Sequence, residues 1–291
     1  MKKIILSLIL LVVLVATIFI FTACSSNVPV PGVSWASTEI LKYDIKDSAN
    51  KNAKIGTFET SIEKLTAGDY TIDKIPNKTF KISTNVLKGF RYKEIAKDIN
   101  DNIIMETESI FDAFDVVASY KKIHDNSLDI TPYETIIYLD NGKYKINING
   151  EAKSDIKAKD NVAPNEILYN LVRAYSELST EDAFSKTLSV IDPTTGRLID
   201  LSLTAKSERT KIKFSFSSNE KELEVTEQEC IQVEITKNTA PIGKSINIWY
   251  TPNDFQIKGS LNSSSSNYSI HVPVKIVEDR LVYVLTEAYA V

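Results

Sequence analysis

The chain is poor in the residues on which much enzyme and metal chemistry depends. Among 291 residues there are two cysteines and two histidines, so a His-rich metal site cannot be assembled, and histidine catalysis would have to use His124 or His271. His124 falls in the polar stretch from Lys121 to Asp129. His271 reads as a member of the polar face of an alternating strand, together with Lys275, and both histidines are expected to be solvated. No Cys-x-x-Cys, His-Glu-x-x-His, EF-hand loop, Walker loop or Gly-x-Ser-x-Gly occurs, which disfavours zinc and P-loop chemistry. No cofactor is implied. A basic block is also missing: 34 Lys and Arg stand against 38 Asp and Glu, for a formal net charge of −4. Nucleic acid is therefore not an expected partner, because such binding requires a concentrated Lys/Arg footprint.

What the chain does have is a conspicuous start. Lys2 and Lys3 precede an apolar run from Ile4 to Ala23, interrupted only by Ser7, Thr17 and Thr22. A charged n-region, an apolar h-region and small residues at the end are the pattern of a secretory leader. The tetrad Phe21-Thr22-Ala23-Cys24 resembles a bacterial lipobox, in which small residues precede a Cys that accepts diacylglycerol; Phe21 departs from the usual Leu. The same run is about as long as the ~20 residues an uncleaved spanning helix needs. Against that reading stand the position of Cys24 directly after Thr22-Ala23, the polar Ser25-Ser26-Asn27, and the lack of basic residues at the far end. Either way the remainder is expected outside the cytoplasm. With Cys24 as the lipidation site, the sequence implies a partner in the membrane, since each buried CH₂ contributes about 0.8 kcal/mol and two chains give stable anchoring. Cys230 then has no intramolecular disulfide partner. Its place in the alternating run Cys230 to Ile235 marks it as a small buried hydrophobe.

Residues 24–37, with Pro29, Pro31 and Gly32 among small polar residues, read as a flexible tether. Beyond them, period-two alternation dominates. It appears in Leu41 to Ile45, in Phe58, Thr60 and Ile62 against Thr57, Glu59 and Ser61, and again in Ile212 to Phe216, Ile231 to Ile235, Ile246 to Tyr250 and Ile270 to Ile276. Asn141-Gly142 between two such runs is a hairpin signal, since both turn positions need positive φ. Leu281 to Leu285 is apolar on both phases and reads as a strand buried on both faces. Asp192 to Gly196 and Thr251 to Asp254 read as turns, and Ser263 to Ser266 as a hairpin tip. From Pro164 to Leu178, the residues Ile167, Leu168, Leu171, Val172, Tyr175 and Leu178 form an apolar stripe at helical spacing, with Pro164 suited to the first turn. Ile110, Phe111, Phe114, Val117 and Ala118 fit a helix and a strand equally well. Glu222, Glu224, Glu227 and Glu229 alternate as a solvated face. Trp249, Tyr250 and Phe255 around Pro252 read as core or turn packing, with an aromatic ligand patch as the alternative. Paired acids for hydrolysis leave no spacing signal among so many carboxylates.

The order of several short motifs resembles an uncharacterised bacterial envelope family known only as a domain of unknown function. The motifs are Glu39 to Ile45 followed by Ile55-Gly56-Thr57-Phe58-Glu59, then Phe111 to Lys122 with its Ser119-Tyr120-Lys121, then Tyr169 to Arg173. The closing part matches in Cys230 to Glu234, Ile248 to Asp254 and Val272 to Ile276. That resemblance tilts residues 110–120 toward strand. It also implies the open β-barrel of lipoprotein-carrier proteins, a curved sheet around a helix with an apolar groove.

The expected protein is thus mainly β, a twisted antiparallel sheet or open half-barrel with one amphipathic helix at 164–178 packed on it. A leader (1–23) and tether (24–37) precede a single β-rich domain (38–291), whose halves, 38–158 and 180–291, flank the helix. The expected role is noncatalytic: a lipid-anchored, extracytoplasmic envelope protein that binds or carries an apolar ligand or a partner protein. The alternatives are a structural or assembly lipoprotein and a cell-wall hydrolase.

Overall fold

A computed structural model describes residues 38–83, 89–112, 115–128, 130–158, 162–164, 168–174, 178, 183–218, 224–237, 245–252, 256–257, 268–269 and 271–290. The leader, Cys24, the tether, Phe255 and the Ser263–Ser266 tip lie outside the described residues. The first half of the chain forms β1 (Thr38–Asp47), β2 (Ala53–Leu65), β3 (Gly68–Tyr70), β4 (Phe80–Ile82), β5 (Gly89–Asp98), β6 (Ile103–Asp112), β7 (Asp115–Ile123), β8 (Tyr133–Asp140), β9 (Lys143–Ile148), β10 (Glu151–Ala152), β11 (Ile156–Lys157) and β12 (Val162–Pro164). A single turn, α1 (Leu168–Leu171), runs into a 3-10 turn at Val172–Ala174. The second half follows with β13 (Phe184–Ile191), β14 (Leu198–Ser218), β15 (Glu224–Lys237), β16 (Ile246–Tyr250), β17 (Gln256–Ile257), β18 (Tyr268–Ser269), β19 (Pro273–Glu278) and β20 (Leu281–Ala290).

Sixteen of these strands belong to one sheet, in the order β10-β9-β8-β7-β6-β5-β2-β1-β20-β19-β16-β15-β14-β13-β12, with β11 also on β9. The pairings are antiparallel except β12 with β13 and the short contact of β14 with β20. The two halves of the chain are joined where β1 lies against β20, with Glu39 opposite Ala290 and Asp47 opposite Leu281. Curvature comes from bulges, including those at Lys42/Tyr43 and between Ala205 and Arg209 of the long β14, because an extra residue on one strand bends it and increases its twist. Past its bulge, β14 reaches β20, pairing Ser217 and Ser218 with Glu287 and Ala288, so β14, β15, β16, β19 and β20 close on themselves. At the other end, Ile137, Tyr144 and Ile146 pack on Val162 and Ile191, and Thr135 Oγ1 donates to the Pro193 carbonyl at 2.5 Å. The sheet is therefore wrapped into a barrel-like body.

Period two does the sorting. In β1, Glu39, Leu41, Tyr43 and Ile45 are buried while the residues between them are half-exposed. Apolar residues of one phase meet inside, which removes their surface from water. Gly56 of β2 is fixed by close approach, since a Cβ there would stand 2.1 Å from the Lys97 carbonyl oxygen. Asn141 (φ 51°) and Gly142 (φ 71°) form the expected hairpin between β8 and β9. The Asp192 carboxylate caps its turn, accepting from the amides of Thr194 and Thr195, and Gly196 takes φ 67°.

Four expectations need correction or resolution. The segment about residue 110 is strand, split between β6 and β7. The continuous helix over 164–178 does not form, because Pro164 ends β12. There, at the edge of the sheet, its missing N–H costs no ladder bond, and among the described residues the single turn α1, the 3-10 turn and the helical Leu178 follow. Tertiary contacts compete for the helical geometry. The Tyr169 carbonyl, which an α-helix would offer to the Arg173 amide, accepts the Tyr250 hydroxyl at 2.7 Å. The apolar stripe is still used, since Leu168, Val172 and Leu178 are buried. In β20 one face is buried (Leu281, Tyr283, Leu285), whereas Val282 and Val284 are half-exposed, so this strand is covered on one side only. His271 is buried, its Nδ1 lying 2.8 Å from the Thr251 carbonyl oxygen: the residue precedes β19, where the strand phase read across it does not hold.

Candidate functional site

The interior of the barrel holds the polar residues that its apolar phase should not contain. Glu39 shares its phase with Leu41, Tyr43 and Ile45, and Glu94 of β5 shares its phase with Tyr92 and Ala96. The Glu39 and Glu94 side chains are each 1% exposed. A buried charge needs a partner, and the two carboxyls are partnered differently. Arg173 from the 3-10 turn grips Glu39 in a two-pronged contact, Nη1 to Oε1 at 2.6 Å and Nη2 to Oε2 at 2.8 Å. Burial alone would lower the guanidinium's proton affinity, but the Glu39 charge and hydrogen bonds outweigh it and raise it. This pair ties the segment that crosses the interior to the start of β1.

Glu94 has weaker support. Its Oε1 accepts a very short hydrogen bond from the Tyr92 hydroxyl. Burial pushes its carboxyl above the usual carboxylate range, while the charge of Lys121 and the hydroxyls of Tyr92 and Thr107 pull the other way, and the Glu278 carboxylate adds to the rise. Glu278, near the end of β19, accepts the Tyr169 hydroxyl at 2.9 Å. The phenols of Tyr169 and Tyr283 are pushed well up, foremost by burial and then by the Glu278 carboxylate.

Between these groups lies a cavity of about 210 Å³. Glu94, Lys121, Glu278 and Tyr169 supply its polar part, and Phe58, Met105, Leu128, Leu168, Ile246 and Tyr283 most of its apolar wall. Thr194, which is exposed, also lines it and marks its mouth. Aromatic rings gather at one side: Phe58 sits 5.3 Å from Tyr283 and 6.4 Å from Tyr169, centroid to centroid, both edge-on. Such an arrangement can receive a small molecule with an apolar body and a polar end.

The residues singled out in the sequence lie elsewhere. Cys24 is outside the described residues. Cys230 is fully buried and burial pushes its thiol up to about 12, so it is an inert packing residue. His124 is at the surface, 3.0 Å from Glu106. Tyr250 is core, and Trp249 is half-buried on the outer face with Lys275 Nζ 4.8 Å above its ring. Glu227 and Glu229 are exposed, as a solvated face should be. No group of three or more potential metal ligands occurs among the described residues. The strongest site residues, Glu94 and Glu278, carried one available signal: each is an acid in phase with apolar neighbours of its own strand.

Fold and site together define a barrel-like antiparallel β protein with a polar-ended interior cavity. No family model and no curated protein matches the chain. Among solved structures it is similar to a beta-barrel-like protein of the domain of unknown function DUF1849 from Brucella abortus, at 10% identity, over 89% of this chain and 100% of that one, with a TM-score of 0.43. The likeness is too loose to carry residues or roles across.

Proposed function

We propose that the protein is a noncatalytic, extracytoplasmic binding protein, held at a membrane by lipid on Cys24, that takes a small amphiphilic molecule into its barrel. The observation that carries the binding reading is the convergence of apolar wall and buried carboxyl on one cavity. The leader and the lipobox-like tetrad ending at Cys24 support the anchor. Size narrows the ligand. A dry hydrocarbon cavity of about 150 Å³ accepts benzene, so about 210 Å³ suits a molecule somewhat larger than benzene and not a diacyl chain. Most of the interior is filled by side chains such as Tyr43, Phe58 and Tyr250, so the ligand is smaller than the lipid cargo of an acyl-chain carrier.

Two measurements test this. Intact mass of the membrane-extracted chain should show acylation that Cys24→Ala abolishes, with release of the variant from membranes or retention of its leader. An unchanged mass and unchanged partitioning would remove the anchor. Ligand-observed NMR with small aromatic amphiphiles should show saturable binding to the full chain, and its absence would remove the binding role.

A structural or assembly role is the second reading, favoured by the sheet edge. Among the described residues the order of the large sheet ends on the three-residue β12, a short edge to which another strand could add. Crosslinking in cells from Lys186 that captured one protein in fixed proportion would support it.

A further inference from the structure

We infer that the cavity selects a small organic amine, taking its apolar body against the aromatic wall and its ammonium against the carboxyls of Glu94 and Glu278. This rests on the ligand-binding reading and names its ligand class. Three observations point the same way. First, the cavity's charged lining is two carboxyls and one ammonium, Glu94, Glu278 and Lys121. An anionic ligand would add a third negative group to an enclosed space of low dielectric, where like charges repel strongly. Second, the Glu278 charge makes Glu94 harder to ionise, and among the described residues no guanidinium clamps Glu94 as Arg173 clamps Glu39. An arriving cation adds to the countercharge that Lys121 supplies, and each carboxylate keeps acceptor capacity beyond the hydroxyls that hold it. Third, Phe58, Tyr169 and Tyr283 crowd the same wall, and aromatic rings attract ammonium groups through their negative faces. A neutral alcohol of equal shape could fill the space but would leave the acids' repulsion in place.

The test is calorimetric titration of the detergent-solubilised full chain with three molecules of one shape: phenethylamine, phenethyl alcohol and hydrocinnamate. The amine should bind about tenfold or more tighter than the alcohol, the scale expected when an ammonium pairs with a carboxylate to which a hydroxyl could only hydrogen-bond, and hydrocinnamate should bind weakest. Glu94→Gln and Glu278→Gln should each bring the amine down toward the alcohol, because each removes a negative charge without altering the apolar wall. Ile130→Trp, which fills the lining at a half-buried position, should abolish binding of all three. If the alcohol or the acid binds as tightly as the amine, the amine selectivity is overturned and the binding reading stands. If amine binding survives Ile130→Trp, it occurs at the surface and the inference falls. If none of the three binds the parent chain, the binding reading fails as well.

Discussion

Two buried acids on the inner face of one sheet behave as opposites. Glu39 is locked by both Nη atoms of Arg173 at 2.6 and 2.8 Å, a planar match in which each oxygen finds a donor. Glu94 is as deeply buried but is held by a neighbouring hydroxyl, feels a second acid, and has its carboxyl pushed above its ordinary 4.5. The first arrangement closes the structure; the second leaves a group whose charge is unsettled beside an open volume. Burial alone does not distinguish a structural acid from a functional one. The partner does.

The comparison can be broken most forcefully at Arg173. Arg173→Met should strand Glu39 as an uncompensated buried charge and cost about 3–5 kcal/mol, read from denaturant midpoints. The double change Glu39→Leu with Arg173→Met should recover most of that loss, because an apolar pair of similar volume replaces the ions. A double variant as unstable as the single would show that the pair does more than satisfy itself.

A smaller effect, of distinctive sign, is expected at Glu94. Its folded proton affinity is raised, so its contribution to stability is complete below its ordinary value of 4.5 and is lost as pH climbs through the raised folded value. Glu94→Gln keeps a neutral side chain at every pH. The variant should therefore gain on the parent as pH rises from about 4 until the raised folded value is passed in a series of urea melts. A gap that closed with rising pH would reverse the assignment. Lys121→Met should move the bend of that curve upward, since the Lys121 charge is the main influence holding Glu94 down; the Glu94 carboxyl carbon shift in NMR reports it directly.

The least change should come from the outer face. Lys42→Met breaks an exposed pair, Nζ to Glu287 Oε2 at 2.8 Å with both side chains more than a third exposed, and should cost under about 1 kcal/mol. A loss rivalling that of Arg173→Met would erase the distinction between inner and outer charges.

Much of the fold was legible where a single physical rule governs. Alternation placed β1, β2, β15 and β16, and Asn141-Gly142 announced its hairpin because few other pairs tolerate two positive φ angles. The phase rule also held the site in plain view: Glu39 beside Leu41 and Tyr43, and Glu94 beside Tyr92 and Ala96, are acids written on the apolar side. What it could not supply was Arg173 as one acid's partner and Glu278 as the other's neighbour, because these meet only through tertiary packing. Helical spacing from Ile167 to Leu178 predicted which residues are buried better than it predicted their geometry, since Tyr250 takes a carbonyl that the helix would have used. His271 escaped for a related reason, as it precedes its strand and follows no phase.

The pairing of β1 with β20 has a consequence for how the molecule is made. Glu39 finds Ala290 across almost the whole described chain, and contacts so remote in sequence slow folding because a large loop must close first. During synthesis, β1 can settle on β2 long before its other flank is covered. Until β20 emerges, that flank is an open template for wrong pairing.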